Sequence, residues 1–190
     1  MRKLIAGINM TLDGFCDHTA IIPDEEIHYH YAELLSNADT ILYGRITYQL
    51  MQFWQTLVKN PSGEKSMDDF ALAMDRIQKI VFSRTLKNLE WDSALLSHKS
   101  LEEMVVELKQ SRGLGSRDIL VGSRSLIIQL MKLNLIDEFQ LCIHPVVAGS
   151  GLSLFENVND RTTLKLIKTK IFNGGAVTLY FEPTNEIDYL

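Results

Sequence analysis

The order in which β-type and helical segments follow one another constrains this chain more than any other feature. Through Leu135, short apolar runs of strand length alternate with amphipathic runs of helical period. After it come three β-type runs with no helix between them. Strand–helix–strand units make parallel neighbours through right-handed crossovers, whereas strands joined by tight turns pair antiparallel. The expected product is an α/β domain whose mixed sheet has about eight strands, mostly parallel, with antiparallel C-terminal strands at one edge and flanking helices.

The individual segments are legible. Residues 3–9 read as the first strand. Pro23 then opens a helix with Asp24, Glu25 and Glu26 in its first turn, where the dipole favours carboxylates, and with Ile27, Tyr31, Leu34 and Leu35 on one face. A buried strand over 39–43 leads through Gly44 into a helix whose apolar stripe is Ile46, Leu50 and Trp54. Residues 60–65 form a loop, and Ser66 with Asp69 fits a capping-box variant ahead of Phe70, Met74 and Ile77. Strands at 79–82 and 94–97 precede a Ser100–Glu103 capping box and a helix faced by Leu101, Met104, Val105 and Leu108. The strand at 118–121 runs through Gly122-Ser123 into a helix carrying Leu126, Ile127, Leu130 and Met131. The final β-type runs cover 137–146, 164–171 and 176–182, the last two joined by the hairpin signal Asn173-Gly174-Gly175.

A chain of 190 residues that is 46% hydrophobic can bury one core unaided, and a single domain is expected over 1–183 with a tail over 184–190. The net charge of -5 argues against nucleic acid or anionic membrane as a general partner. No stretch approaches the roughly 20 apolar residues of a membrane span, and the N-terminal apolar run breaks at Asn9, too early for a signal peptide. A cytoplasmic protein is expected. Cys16 and Cys142 have no metal-type spacing and read as separate free thiols. His28 and His30, two apart, point to different helix faces, which disfavours a shared metal and leaves surface or cleft-lining roles.

Three strand ends carry the same chemistry: Gly44-Arg45-Ile46-Thr47, Ser83-Arg84-Thr85 and Gly122-Ser123-Arg124-Ser125. In open α/β sheets ligands sit beyond the carboxyl ends of strands, where helix N-termini present free N–H groups to anions. Each end brings a hydroxyl and an arginine, whose planar fork grips phosphate oxygens, and two bring a glycine. In an acidic chain this pattern suggests a local site for several phosphates, such as a dinucleotide bearing an extra 2′-phosphate. Neither the G-x-G-x-x-G nor the P-loop fingerprint is present.

The segments Met10-Thr11-Leu12-Asp13-Gly14, Tyr43-Gly44-Arg45-Ile46-Thr47-Tyr48, Val81-Phe82-Ser83-Arg84 and Val121-Gly122-Ser123 occur in the order and spacing of the dihydrofolate reductase superfamily. So does His144-Pro145-x-x-x-Gly149-x-Gly151-x-x-Leu154-Phe155. The chain resembles most the branch containing the reductase domain of riboflavin biosynthesis, over about residues 1–183. The resemblance implies a dihydrofolate reductase-like fold, NADPH as cofactor and a homodimer. It places Gly44, Arg45 and Thr47 at the pyrophosphate and adenosine side, and Ser83, Arg84 and Thr85 at the 2′-phosphate. Gly122, Ser123, Arg124, Ser125 and Leu126 would meet the pyrophosphate from the opposite side, and the loop around Leu12, Asp13 and Gly14 would lie beside the nicotinamide.

The substrate half departs from the family. His28 stands where dihydrofolate reductases carry a pterin-binding carboxylate, Gly7 where riboflavin reductases carry a lysine, and Ser150 where they place an acidic residue between the tail glycines. His28, Tyr31 and Ser150 are therefore the expected substrate-side residues. Asp13 is the expected proton relay, as a carboxylate on a loop beside the hydride donor. The activity implied is NADPH-dependent reduction of a C=N or C=O bond in a small heterocyclic molecule of pterin or pyrimidine type. The alternatives are a non-catalytic NADPH or nucleotide sensor and a structural homodimer with an empty cleft.

Overall fold

The structure, a computed structural model, describes residues 1–111, 117–158 and 161–184. The elements in chain order are β1 (Leu4–Thr11), α1 (Glu25–Ser36), β2 (Ala38–Gly44), α2 (Arg45–Lys59), α3 (Lys65–Arg76), β3 (Gln78–Phe82), β4 (Ala94–Leu96), α4 (Leu101–Gln110), β5 (Asp118–Val121), α5 (Arg124–Lys132), β6 (Glu138–His144), β7 (Thr163–Ile171) and β8 (Val177–Thr184). They build one eight-stranded sheet in the order β4-β3-β2-β5-β1-β6-β8-β7. Neighbours from β4 to β6 pair in parallel, and β8 pairs antiparallel with both β6 and β7. This is the mixed sheet expected from the segment order. Of the tail expected over 184–190, Thr184 belongs to β8 and residues 185–190 lie outside the described residues.

The central strands are apolar on both faces because helices cover both. Leu4, Ala6, Leu42, Ile119 and Val121 pack with Val105, Leu126, Ile127 and Leu130 of α4 and α5. Their alternates Ile5, Ile41, Tyr43, Val81 and Leu120 pack with Leu35, Tyr48, Phe70 and Met74 of α1, α2 and α3. The period of two along each strand assigns the residues to these layers.

Several local expectations change. Asp24 is the N-cap of α1, accepting from the Ile27 N–H at 3.0 Å, so the helix begins one residue after it. In α2 the buried residue is Tyr48, while Ile46 is 64% exposed. The helix leaves the sheet edge directly at Arg45, which puts Ile46 beyond the core. Tyr48 turns inward and keeps its hydroxyl satisfied by accepting from the Glu90 N–H. Ser66 is buried inside α3 rather than capping it. The loop before α3 is instead gathered by Asp68, which accepts from Ser62 and Gly63. His30 is buried, not surface or cleft-lining, with its ring 5.3 Å from that of Phe172.

Two features follow the sequence as read. Ser100 and Glu103 form a complete capping box on α4. The β7–β8 hairpin closes over Asn173–Gly175 with Gly175 at φ 85°, a left-handed position that glycine adopts without steric cost. The hairpin tip docks on α1, where Glu26 accepts from the backbone and side-chain nitrogens of Asn173, both at 2.7 Å.

Candidate functional site

Sheet order brings the expected strand ends side by side. Gly44 at the end of β2 lies beside Phe82 of β3, Leu42 lies beside Val121 of β5, and Ala6 of β1 lies beside Val121 on its other flank. The loops after β3, β2, β5 and β1 therefore form one contiguous row. The Gly44 N–H donates to Ser123 Oγ at 2.9 Å. A methyl group on Gly44 would stand 3.5 Å from Ser125 Oγ, and one on Gly122 would stand 3.6 Å from the Gly7 carbonyl oxygen. At both positions that is ordinary van der Waals contact.

α1 and α4 are capped by Asp24 and Ser100, whereas α2, α3 and α5 have no side-chain cap. Ser123, the residue placed to cap α5, uses its hydroxyl on Gly44 instead. Two helix N-termini with uncapped N–H groups thus open beside each other, the arrangement that favours an anion.

The expected phosphate-binding side chains separate into two groups. Arg84 and Thr85 are exposed, and Arg84 has no partner among the described residues. Ser83 shapes its turn, its Oγ accepting from the Thr85 and Leu86 N–H groups. Arg45 is exposed and donates to Gln49 at 3.2 Å, and Thr47 is half-buried one turn into the helix. Arg124 has another job: its guanidinium donates to the Ser153 carbonyl at 2.6 Å and pairs with Glu156 in the β6–β7 loop. Leu126 lies in the core, and its N–H donates to the Ser123 carbonyl within the first turn of α5.

The loop after β1 is fastened to the β6–β7 loop along its length. Leu12 N–H donates to the Val146 carbonyl, Cys16 N–H to Leu152, and Leu154 N–H to Gly14, with Phe15 bridging to Ser153. Asp13 accepts from the Thr11 hydroxyl at 2.6 Å, from Ala148 N–H at 3.1 Å and from Gly149 N–H at 2.7 Å. Asp17 accepts from Leu152 N–H at 2.6 Å. The Thr11 hydroxyl first, and then the two amides, hold the Asp13 carboxyl down at about 2. A carboxylate so held carries no proton near neutrality. Its hydrogen bonds make it a latch between the two loops. Leu12 stands exposed beside it, and Ser150 is exposed at the tip of the clasped loop.

On the α1 face, His28 is half-buried edge-on to Trp54 at 5.6 Å and near Phe70 at 6.1 Å, so it ties α1 to α2 and α3 by aromatic packing. Tyr31 reaches over Gly7, and its hydroxyl is buried without a partner among the described residues. Burial also raises its pKa well above the ordinary phenol value. Beside it, at the carboxyl ends of β1 and β6, Asn9 Oδ1 lies 2.9 Å from His144 Nε2. The side chain of His144 was visible in sequence only as the residue before Pro145. Its meeting with Asn9 depends on the β1–β6 register, in which Thr11 faces His144. A cavity of about 700 Å³ between α1 and α3, lined by Glu33, Asp39, Arg76 and Arg117, lies at the amino ends of the strands, away from all of this.

The family model described as the RibD C-terminal domain matches residues 2–180. The Bacillus subtilis (strain 168) uncharacterized protein YyaP is 35% identical over 188 residues, covering 95% of this chain and 94% of its own. Among solved structures, a pyrimidine reductase-like protein from Corynebacterium diphtheriae superposes with a TM-score of 0.65 at 14% identity, over 97% of this chain and 93% of that one. A bifunctional deaminase and 5-amino-6-(5-phosphoribosylamino)uracil reductase from Thermotoga maritima gives 0.65 at 17%, over 96% of this chain and 57% of that one. Dihydrofolate reductase from Enterococcus faecalis, complexed with NADP(H), gives 0.64 at 12%, over 96% of this chain and 97% of that one. These likenesses show the fold, which is dihydrofolate reductase-like.

Proposed function

This chain belongs to the RibD C-terminal domain family, and from that membership we propose that it is an NADPH-dependent reductase of a small heterocyclic substrate. The observation that carries the reading is the pair of uncapped N-termini of α2 and α5, open beside each other across Gly44 and Gly122 with the free guanidinium of Arg84 on the next strand end. The pyrophosphate of a dinucleotide suits the paired N-termini, with Arg45, Thr47, Ser123 and Ser125 around it. A 2′-phosphate suits Arg84, with Thr85 beside it. Within an acidic chain these are local positive features, as selective anion binding requires.

Bound NADPH supplies hydride to the carbon of a C=N or C=O bond, and a proton must reach the nitrogen or oxygen. The protein's part is to orient the acceptor and exclude water. The clasped loop of Leu12, Asp13 and Gly14 would form one wall beside the nicotinamide, held there by Asp13 and Asp17. The same reading takes the chain as one cytoplasmic domain over residues 1–183 acting as a homodimer. In such a dimer the exposed Leu166, Ile167 and Ile171 of β7 would be apolar material for a second copy to cover. Among the described residues no helix is long and apolar enough to cross a membrane.

The test is a titration of the protein with NADPH, followed by NADPH oxidation against pterins, pyrimidines and cyclic imines. Binding with turnover on one of these classes is the expected result. Binding with no turnover on any of them would favour the nucleotide sensor, and no binding would favour the structural homodimer.

A further inference from the structure

We propose that Asn9 and His144 form the polar anchor for the substrate ring, recognising the N–H and C=O edge of a cyclic amide. The inference rests on the reductase reading for the direction from which hydride arrives, but the anchor itself is read from this chain's own geometry. The two residues sit at the carboxyl ends of the central strands β1 and β6, on the face that also carries Gly7 and lies under α1. Their mutual hydrogen bond uses Asn9 Oδ1 and His144 Nε2. The Asn9 Nδ2 and His144 Nδ1 atoms have no protein partner among the described residues, and neither is among the buried unpaired atoms. Each atom therefore keeps some solvent exposure, although His144 as a whole is buried.

That leaves a defined pattern. With Nε2 donating to Asn9 Oδ1, His144 Nδ1 is an acceptor and Asn9 Nδ2 a donor. Turning the Asn9 amide by half a rotation exchanges the roles and again leaves one donor and one acceptor. In either state the pair complements a group that carries one N–H and one C=O side by side, which is the edge of a lactam, a uracil or a pterin. A carboxylate or phosphate would leave the acceptor unpaired, and a hydrocarbon would leave both unpaired at a cost.

The layer behind the pair supports the same assignment. Cys142 Sγ lies 3.7 Å from His144 Nε2, and Thr178 lies opposite Cys142 across the β6–β8 pairing. His30 Nε2 and Tyr31 Oη of α1 are buried without a hydrogen-bond partner among the described residues, and the buried Thr178 hydroxyl lies against Cys142. Buried polar groups are almost always paired, with ordered water where protein atoms do not suffice. These groups are themselves enclosed, so they make the layer behind Cys142 polar and leave contact with a ring to Asn9 and His144. The Asp24 carboxylate at the start of α1 lies within electrostatic reach of His144, while His28 is turned to Trp54.

The experiment uses the full chain saturated with NADPH and measures calorimetric binding of uracil and pterin beside N1,N3-dimethyluracil, which keeps the carbonyls and lacks every ring N–H. The proposal expects a ring with a free amide edge to bind and the dimethylated ring to bind about tenfold or more weakly, the loss of one to two hydrogen bonds in a desolvated site. In Asn9→Ala and His144→Gln, uracil or pterin should weaken by a similar factor while NADPH affinity stays within about twofold. Equal binding of the methylated and free rings, no binding of either free ring, or unchanged ring binding in both variants would each overturn the anchor. The methylation arm uses unaltered protein and stands even if a variant fails to fold. The NADPH titration is read separately: its failure removes the reductase reading, and ring discrimination in the protein alone then decides the anchor.

Discussion

Charging an amine inside a core costs solvation energy unless hydrogen bonds replace the lost water, and Lys79 is the residue where this chain meets that cost. Its side chain is fully buried, donating to the Ile77 carbonyl and Ser93 Oγ at 2.8 Å with the Trp91 ring centroid 4.0 Å away. Burial lowers its pKa to about 8, against which nearby Asp75 pulls upward. The unfolded chain therefore holds this proton more tightly, so the Lys79 contribution to stability rises as pH climbs from about 8 towards the ordinary 10.5. In urea titrations, the difference between wild type and Lys79→Met should shift in favour of wild type over that window, and a constant difference would remove the assignment. Arg84 gives the second prediction. Arg84→Ala should weaken NADPH by roughly 1.5–3 kcal/mol while leaving NADH nearly unchanged, because the 2′-phosphate alone distinguishes them. Equal losses would place Arg84 elsewhere. Asp13 gives a third. As a latch with its pKa lowered from 3.8 to about 2, it contributes stability above pH 3.8 that is lost as pH falls through about 2. Asp13→Asn should flatten the fall of the thermal midpoint across that range. Its turnover should decline by less than the ~10²–10⁴ expected of a general acid, and a decline of that size would restore the relay.

Among elements, the two loops that meet at Asp13 and Asp17 behave as one unit, because backbone groups of each complete the other. Gly151 shows how closely they approach: at φ 144° its missing side chain is replaced by the Asp17 carboxylate. Gly151→Ala should push Asp17 off Leu152 N–H and strain the backbone, costing on the order of 1–3 kcal/mol. Adding Asp17→Ala should recover part of that loss, since residues in contact are not additive. Melting temperatures of the two single variants and the double variant measure it, and strict additivity would mean the contact is not the cause. The helix starts tell a parallel story. Ser100→Ala should cost about 1 kcal/mol by removing a cap. The uncapped starts of α2 and α5 should instead gain stability when phosphate or NADPH is added.

For the molecule as a whole, segment order and period were enough to specify the architecture. Parallel neighbours up to β6, antiparallel β8 and β7, and helices on both faces follow from where the helical runs stop and from the turn at Asn173–Gly175, both written locally. The family segments likewise placed the loops after β1, β2, β3 and β5 at one edge, and the sheet order sets them in a row. Sequence could not decide which side chains in that row remain available. Arg124 reads as a phosphate ligand and Asp13 as a proton relay because the partners they meet in the fold, Glu156 for one and the amides of Ala148 and Gly149 for the other, lie more than 30 residues away in the chain. Asn9 and His144 carry no sign of each other in sequence for the converse reason, their partnership being a product of strand register across 135 residues. Periodicity and turn chemistry act within a few residues and survive in one-dimensional form. Hydrogen-bond occupancy depends on what the fold carries to within 3 Å, and only the closed sheet settles it.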